Sequence, residues 1–161
     1  MRAPAALDSA DVRILGSLQE DASRSIAEVA VLVGLSQNAC WRRIKRLEED
    51  GVVRRRVALL DPESVGAGTV VFAMVRAAEH SEEWLNGFAA AVRRIPEVVE
   101  FYRMSGEMDY LLKLRVGDIA HYDRVYRRLI NAVKLSDISS SFAMEELKNT
   151  TALPLEVQSG R

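Results

Sequence analysis

Asn38, Arg42 and Lys45 recur at the spacing that puts them on one side of a helix covering residues 36–49, with Trp41 and Arg46 at the flanks of that stripe. Asn and Arg pair bidentately with adenine and guanine edges, and the major groove of DNA admits one α-helix. The chemistry open to this stripe is therefore the reading of double-stranded DNA. Ser25, Ser36, Gln37 and Arg54 border it and complete the set of candidate DNA-contacting residues. From 37 to 56 there are seven basic side chains against three acidic ones, the local excess that phosphate contact requires. Basic residues on an exposed helix face can equally be no more than solvated.

A second constellation has ligand character. It is Ser105-Gly106-Glu107-Met108-Asp109-Tyr110, taken together with the serine run Ser139-Ser140-Ser141. A ligand's ammonium group needs a carboxylate, and its carboxylate needs N–H or hydroxyl donors. A glycine turn beside two acids offers both, which suits a free amino acid. The residues alone leave a second reading open, an ordinary solvated hairpin with a polar final strand.

Catalytic chemistry is absent from the pattern. His80 and His121 lie far apart and neither has a metal-ligand partner at helical spacing. No G-x-S-x-G and no phosphate-cradling glycine loop occurs, so neither an enzyme nor a cofactor or metal site is expected. Cys40 is the single cysteine, which excludes an intramolecular disulfide framework, and it falls on the inward side of the helix that carries Asn38. Net charge is −1, yet residues 1–60 carry +2 and the remainder −3, so the basic character is confined to the N-terminal part. No signal-like or membrane-length apolar run appears, and a cytoplasmic protein without a membrane partner is expected.

The elements that must position these residues follow from caps and periodicity. Ser25 and Glu28 form a capping box, the helix it starts carries Val29, Ala30 and Val33 inward, and Gly34 ends it. Ser36 then caps the next helix. Two helices joined this tightly read as a helix-turn-helix. A first helix over Leu7–Leu18 supplies its third wall. VVRRRVALL alternates like a strand, and DPESVGAG breaks all periodicity. The expected domains are 1–52 helix-turn-helix, 53–68 strand and linker, and 69–161 a second domain.

That second domain reads β-α-β-β-α-β, the ferredoxin-like arrangement, with strands near 69–77, 98–105, 110–116 and 136–147. The fold class is α+β. Two helices on one sheet face leave the other open. Tyr102, Met104, Leu112, Leu114, Phe142 and Met144 cannot all point toward the helices if the strands alternate, so part of this surface is expected to meet another subunit.

The motifs LDSADVRIL, VGLSQNACWRRIKRLEEDGVV, ALLDPESVG, MSGEMDYLLKLRV and SSFAMEELK, in that order, resemble the Lrp/AsnC transcriptional regulators over residues 7–155. The resemblance implies an N-terminal winged-helix-like DNA-binding domain and a C-terminal effector domain. It also implies homodimers paired through their sheets, which assemble to tetramers or octamers and bind amino acids between dimers. The ligand loop it implies matches Ser105 to Tyr110, so the candidate effector residues are Met104, Ser105, Gly106, Glu107, Asp109 and Tyr110, together with Ser139, Ser140 and Ser141 of the serine run. Gln37-Asn38 stands where family members often carry Pro, and Gly-Glu-Met-Asp stands where Gly-Asp-Tyr/Phe-Asp is common. Trp41, the hairpin and the C-terminal motif look most like a subgroup controlling cysteine catabolism, so cysteine is the first effector expected and a branched-chain amino acid the second. The alternative is a metabolite-binding protein or small enzyme that merely retains a helix-turn-helix.

Overall fold

The computed structural model of the protein describes residues 5–156. Contacts divide it into two units, one formed by residues up to Ala58 together with those from Lys148 onward, the other by Leu59–Leu147. The first contains α1 (Ser9–Glu20), α2 (Ile26–Val33) and α3 (Gln37–Glu49). Each start is chemically specified. Asp8 and Asp11 form a capping box at α1, Ser25 and Glu28 form the expected one at α2, and the Ser36 hydroxyl accepts the Ala39 N–H at α3. Gly34 ends α2 at φ 70°, the left-handed conformation that costs an L side chain. The three helices bury Ile14, Val29, Ala30, Cys40, Ile44 and Leu47 against one another. Burial pushes the Cys40 thiol pKa up, as befits a small core residue.

The second unit has the order β1 (Thr69–Ala77), α4 (Glu82–Val92), β2 (Val98–Arg103), β3 (Tyr110–Val116), α5 (Ile119–Ala132) and β4 (Leu135–Phe142). All strand pairs are antiparallel, in the sheet order β2-β3-β1-β4. This is the ferredoxin-like arrangement expected. β1 and β3 alternate cleanly, turning Val71, Ala73, Val75, Leu112 and Leu114 toward α4 and α5. Trp84, Phe88, Phe101 and Tyr110 fill that core as an aromatic group, with ring centroids 5.0–5.7 Å apart.

Several expectations are corrected. Residues 54–60 belong to no strand among the described residues; an extended segment counts as a strand only when a neighbour completes its ladder, and the described residues supply none. β4 stops at Phe142 rather than running to 147, and β2 stops at Arg103. Leu112, Leu114 and Phe142 lie on the helix side of the sheet, Phe142 with its ring 5.2 Å from that of Tyr122. The open face instead carries the row Ser139, Met74, Leu111 and Tyr102, in register across all four strands. The segment from Lys148, expected in the second domain, packs in the helical unit, where Leu155 joins the core and Leu153 pairs with Gln19.

Candidate nucleic-acid interface and ligand loop

α3 is divided lengthwise. Cys40, Ile44 and Leu47 are buried, while Gln37, Asn38, Trp41, Arg42 and Lys45 are exposed. Trp41 supports Lys45, whose Nζ lies 5.2 Å from the ring centroid and 4.0 Å from Glu49 Oε1. Ser25 and Ser36 spend their hydroxyls on the backbone N–H groups of Glu28 and Ala39, both at 3.3 Å. Their observed work is capping. Arg54 is exposed beyond the helix.

Arg46, exposed at the flank of the outward stripe, also reaches back to α1. Its Nη2 is 2.5 Å from Asp11 Oδ2, and Arg43 Nη1 is 2.8 Å from Asp11 Oδ1 and 2.7 Å from Asp8 Oδ2. The Asp8 carboxyl is held below the usual range, first by the backbone N–H of Asp11 and then by the Arg43 guanidinium. Asp8 caps α1 and Asp11 sits in its first turn, roles set within a few residues. Their partnership with Arg43 and Arg46, 32 to 35 residues away, is not.

The loop 104–109 is closed by the Met104 N–H donating to the Asp109 carbonyl at 2.8 Å. Asp109 pins it to the end of β1, its Oδ2 accepting the Ala77 N–H at 2.8 Å and its Oδ1 lying 3.0 Å from His80 Nε2. The Ala77 N–H, then His80, hold that carboxyl below the usual range against the opposing effect of burial. Glu107 is the exposed acid of the loop, its side chain 90% exposed with Arg76 at 3.4 Å. Gly106 stands at φ 140°, and both it and Ser105 are exposed. Tyr110 is buried in the core and Met104 is exposed.

The serine run alternates. Ser139 and Ser141 face outward, while the Ser140 hydroxyl is hydrogen-bonded to that of Tyr122. Within one chain the run and the loop are not brought together: β1 separates β4 from β3, roughly 10 Å across two strand spacings. Arg76 and His80 are the loop neighbours that sequence reasoning missed, because nothing local signals a contact between the end of β1 and a loop about 30 residues later.

Comparison with known proteins agrees with both halves. Residues 7–54 match a winged helix-turn-helix DNA-binding family and residues 70–153 the Lrp/AsnC ligand binding domain. A glutamate uptake regulatory protein of Zymomonas mobilis is 54% identical over 149 residues, covering 92% of this chain and 91% of that one. The DNA-binding transcriptional activator DecR of Escherichia coli is 47% identical, over 93% of this chain and 99% of its own. Among solved structures, an AsnC family transcriptional regulator from Agrobacterium tumefaciens superposes with a TM-score of 0.90 at 55% identity, covering 92% and 97% of the two chains. A Neisseria meningitidis transcriptional regulator in complex with L-methionine gives 0.87 at 39% identity, covering 92% and 96%. With relatives this similar spanning both units, the chain belongs to the Lrp/AsnC family of DNA-binding transcriptional regulators and is not an enzyme.

Proposed function

We propose that α3 reads operator bases with Asn38, Arg42 and Lys45, aided by Gln37 and Trp41, while Arg54 meets phosphate. The observation that carries this is the clean division of α3 into a buried stripe and an exposed one made of base-pairing side-chain types. The protein acts in the cytoplasm as a homodimer or a larger even assembly, which doubles the helix-turn-helix and suits a two-fold operator. Arg42→Ala is expected to weaken operator binding by roughly 1–3 kcal/mol. A gel-shift titration in which an Arg42/Lys45 double alanine variant binds as well as wild type would remove α3 from this role.

The effector is a small amino acid that modulates the spacing of the DNA-binding units. Its ammonium meets Glu107, which is exposed, and its carboxylate meets the Ser105 and Gly106 backbone together with Ser139 or Ser141 of a neighbouring chain. Cysteine is the first candidate and a branched-chain residue the second. The relative bound to L-methionine supports an amino-acid ligand and extends the sulfur-containing candidates. Asp109 acts by holding the loop shape, since both of its oxygens are engaged. A thermal-shift screen of the twenty amino acids, followed by calorimetry, tests the site. Glu107→Gln should weaken the best hit roughly tenfold or more, the cost of losing a charge-assisted hydrogen bond. Equal affinity in both proteins would move the site elsewhere.

A further inference from the structure

α3 carries four cations within five positions, Arg42, Arg43, Lys45 and Arg46. α1 engages two of them. Asp11 is buried to 1% exposure, and each of its oxygens takes a different arginine, Oδ1 from Arg43 at 2.8 Å and Oδ2 from Arg46 at 2.5 Å. A carboxylate this deep is tolerated only when paired and hydrogen-bonded, and here both conditions are met from one neighbouring helix. Asp8 adds a second grip on Arg43 at 2.7 Å while its other oxygen caps α1, accepting the Ala10 and Asp11 N–H groups at 2.9 Å. Asp11 Oδ2 in turn accepts the Asp8 N–H at 3.3 Å. The same two acids therefore start α1 and hold the arginines of α3.

The four groups sum to zero charge. That has a consequence for DNA. Phosphate contacts bind any sequence, and each cation given to phosphate strengthens non-specific and specific binding alike. Cations held back from phosphate lower the non-specific background. Guanidiniums anchored by planar geometry also resist rolling of α3 about its axis, which would carry Asn38 and Arg42 off their base edges.

We infer that Asp11, seconded by Asp8, is a positioning residue for operator selectivity: it commits Arg43 and Arg46 to fixing α3 on α1 and withholds both from the DNA backbone. This rests on the reading of α3 as the recognition helix.

The test measures affinity of the full-length protein against salt by fluorescence anisotropy. Two duplexes are used, one that wild type enriches from a randomised pool and a scrambled one of the same composition. Arg42→Ala reports on the underlying reading; unchanged binding to the enriched duplex would overturn that reading and this inference with it. Provided Arg42→Ala weakens binding, Arg46→Gln decides the inference by itself. The expected result is an unchanged slope of log affinity on log salt, with the enriched-to-scrambled ratio falling roughly tenfold, the size of one disturbed base contact. A slope shallower by about 0.9 would show Arg46 to be an ordinary phosphate contact and overturn the proposal. An unchanged ratio would overturn it too. Asp11→Asn, where it folds, should steepen the slope by about 0.9 for each guanidinium set free and raise affinity for the scrambled duplex. A role confined to stability would lower the melting temperature of either variant and leave the slope and ratio of the folded protein where they were.

Discussion

Glu97, at the turn before β2, holds two side chains of α5 on one oxygen, Arg128 at 2.6 Å and His121 at 3.1 Å. Burial acts to raise its pKa, but Arg128, its own backbone N–H and His121 outweigh burial and bring it to about 2 from an ordinary 4.5. A carboxyl depressed by folding stabilises the protein above its unfolded pKa, and that contribution is lost as pH falls from about 4.5 toward 2. The size is roughly 3 kcal/mol for a side chain this little exposed. Glu97→Gln should therefore be less stable than wild type near neutrality, with the difference vanishing in acid. Urea midpoints of the two proteins across that range check it, and a gap that persists at the acid end would contradict the ion-pair origin. Gly34 gives a second expectation at this scale. At φ 70° with no atom within 4 Å of an added Cβ, Gly34→Ala meets no clash and pays only the left-handed backbone penalty, about 1–2 kcal/mol. Chemical denaturation reads this directly.

At the scale of elements, the C-terminal segment is the least expected. Gln19 of α1 makes two hydrogen bonds with the backbone of Leu153, its Nε2 donating to the carbonyl at 3.1 Å and its Oε1 accepting the N–H at 2.7 Å. This is the pairing one strand would offer another, made by a side-chain amide. Val12, Gly16, Thr150 and Leu155 line the groove between α1 and the segment. Gln19→Ala is expected to strip the Leu153 amide of its hydrogen-exchange protection and to cost about 1–3 kcal/mol, two ordinary hydrogen bonds' worth. Unaltered exchange at Leu153 would show that Leu155 alone holds the segment. The caps at this scale were readable from sequence. Ser25 with Glu28 and Ser36 cap as residue type and spacing imply, and Ser81 and Asp118 start α4 and α5 by the same local chemistry.

For the whole molecule, the open sheet face is the surface through which the proposed assembly would form. Met74 and Leu111 are half-buried within one chain and lie in one row with the exposed Tyr102 and the outward Ser139. Charged neighbours on that face, such as Lys113 and Glu100 at 3.1 Å, satisfy each other and leave it able to pair with a second copy. Light scattering is expected to show a dimer or a multiple of it, and Leu111→Glu should shift the population toward smaller species. A single species of 17.9 kDa in the wild type at micromolar concentration would rule out this assembly.

What the sequence by itself determined was whatever is written within a turn or a short run: helix starts and stops, the buried and exposed stripes of α3, the β-α-β-β-α-β order, and the resemblance carried by motifs in sequence order. These depend on interactions over three or four residues, or on periods of 2 and 3.6, which a linear reading can measure. The tertiary structure alone decided which charges were already spoken for. Arg46 looked as free as Arg42 until Asp11 was brought against it, Asp109 looked like a ligand group until Ala77 and His80 engaged it, and Ser140 looked like Ser139 until Tyr122 took its hydroxyl. Leu112 and Leu114 were placed under the helices by register, and Leu155 in the other unit by packing. The physical reason is common to all of these. A side chain's type states which bonds it can make, while the partner that satisfies it is chosen by chain segments tens of residues away, and only folding brings them within reach.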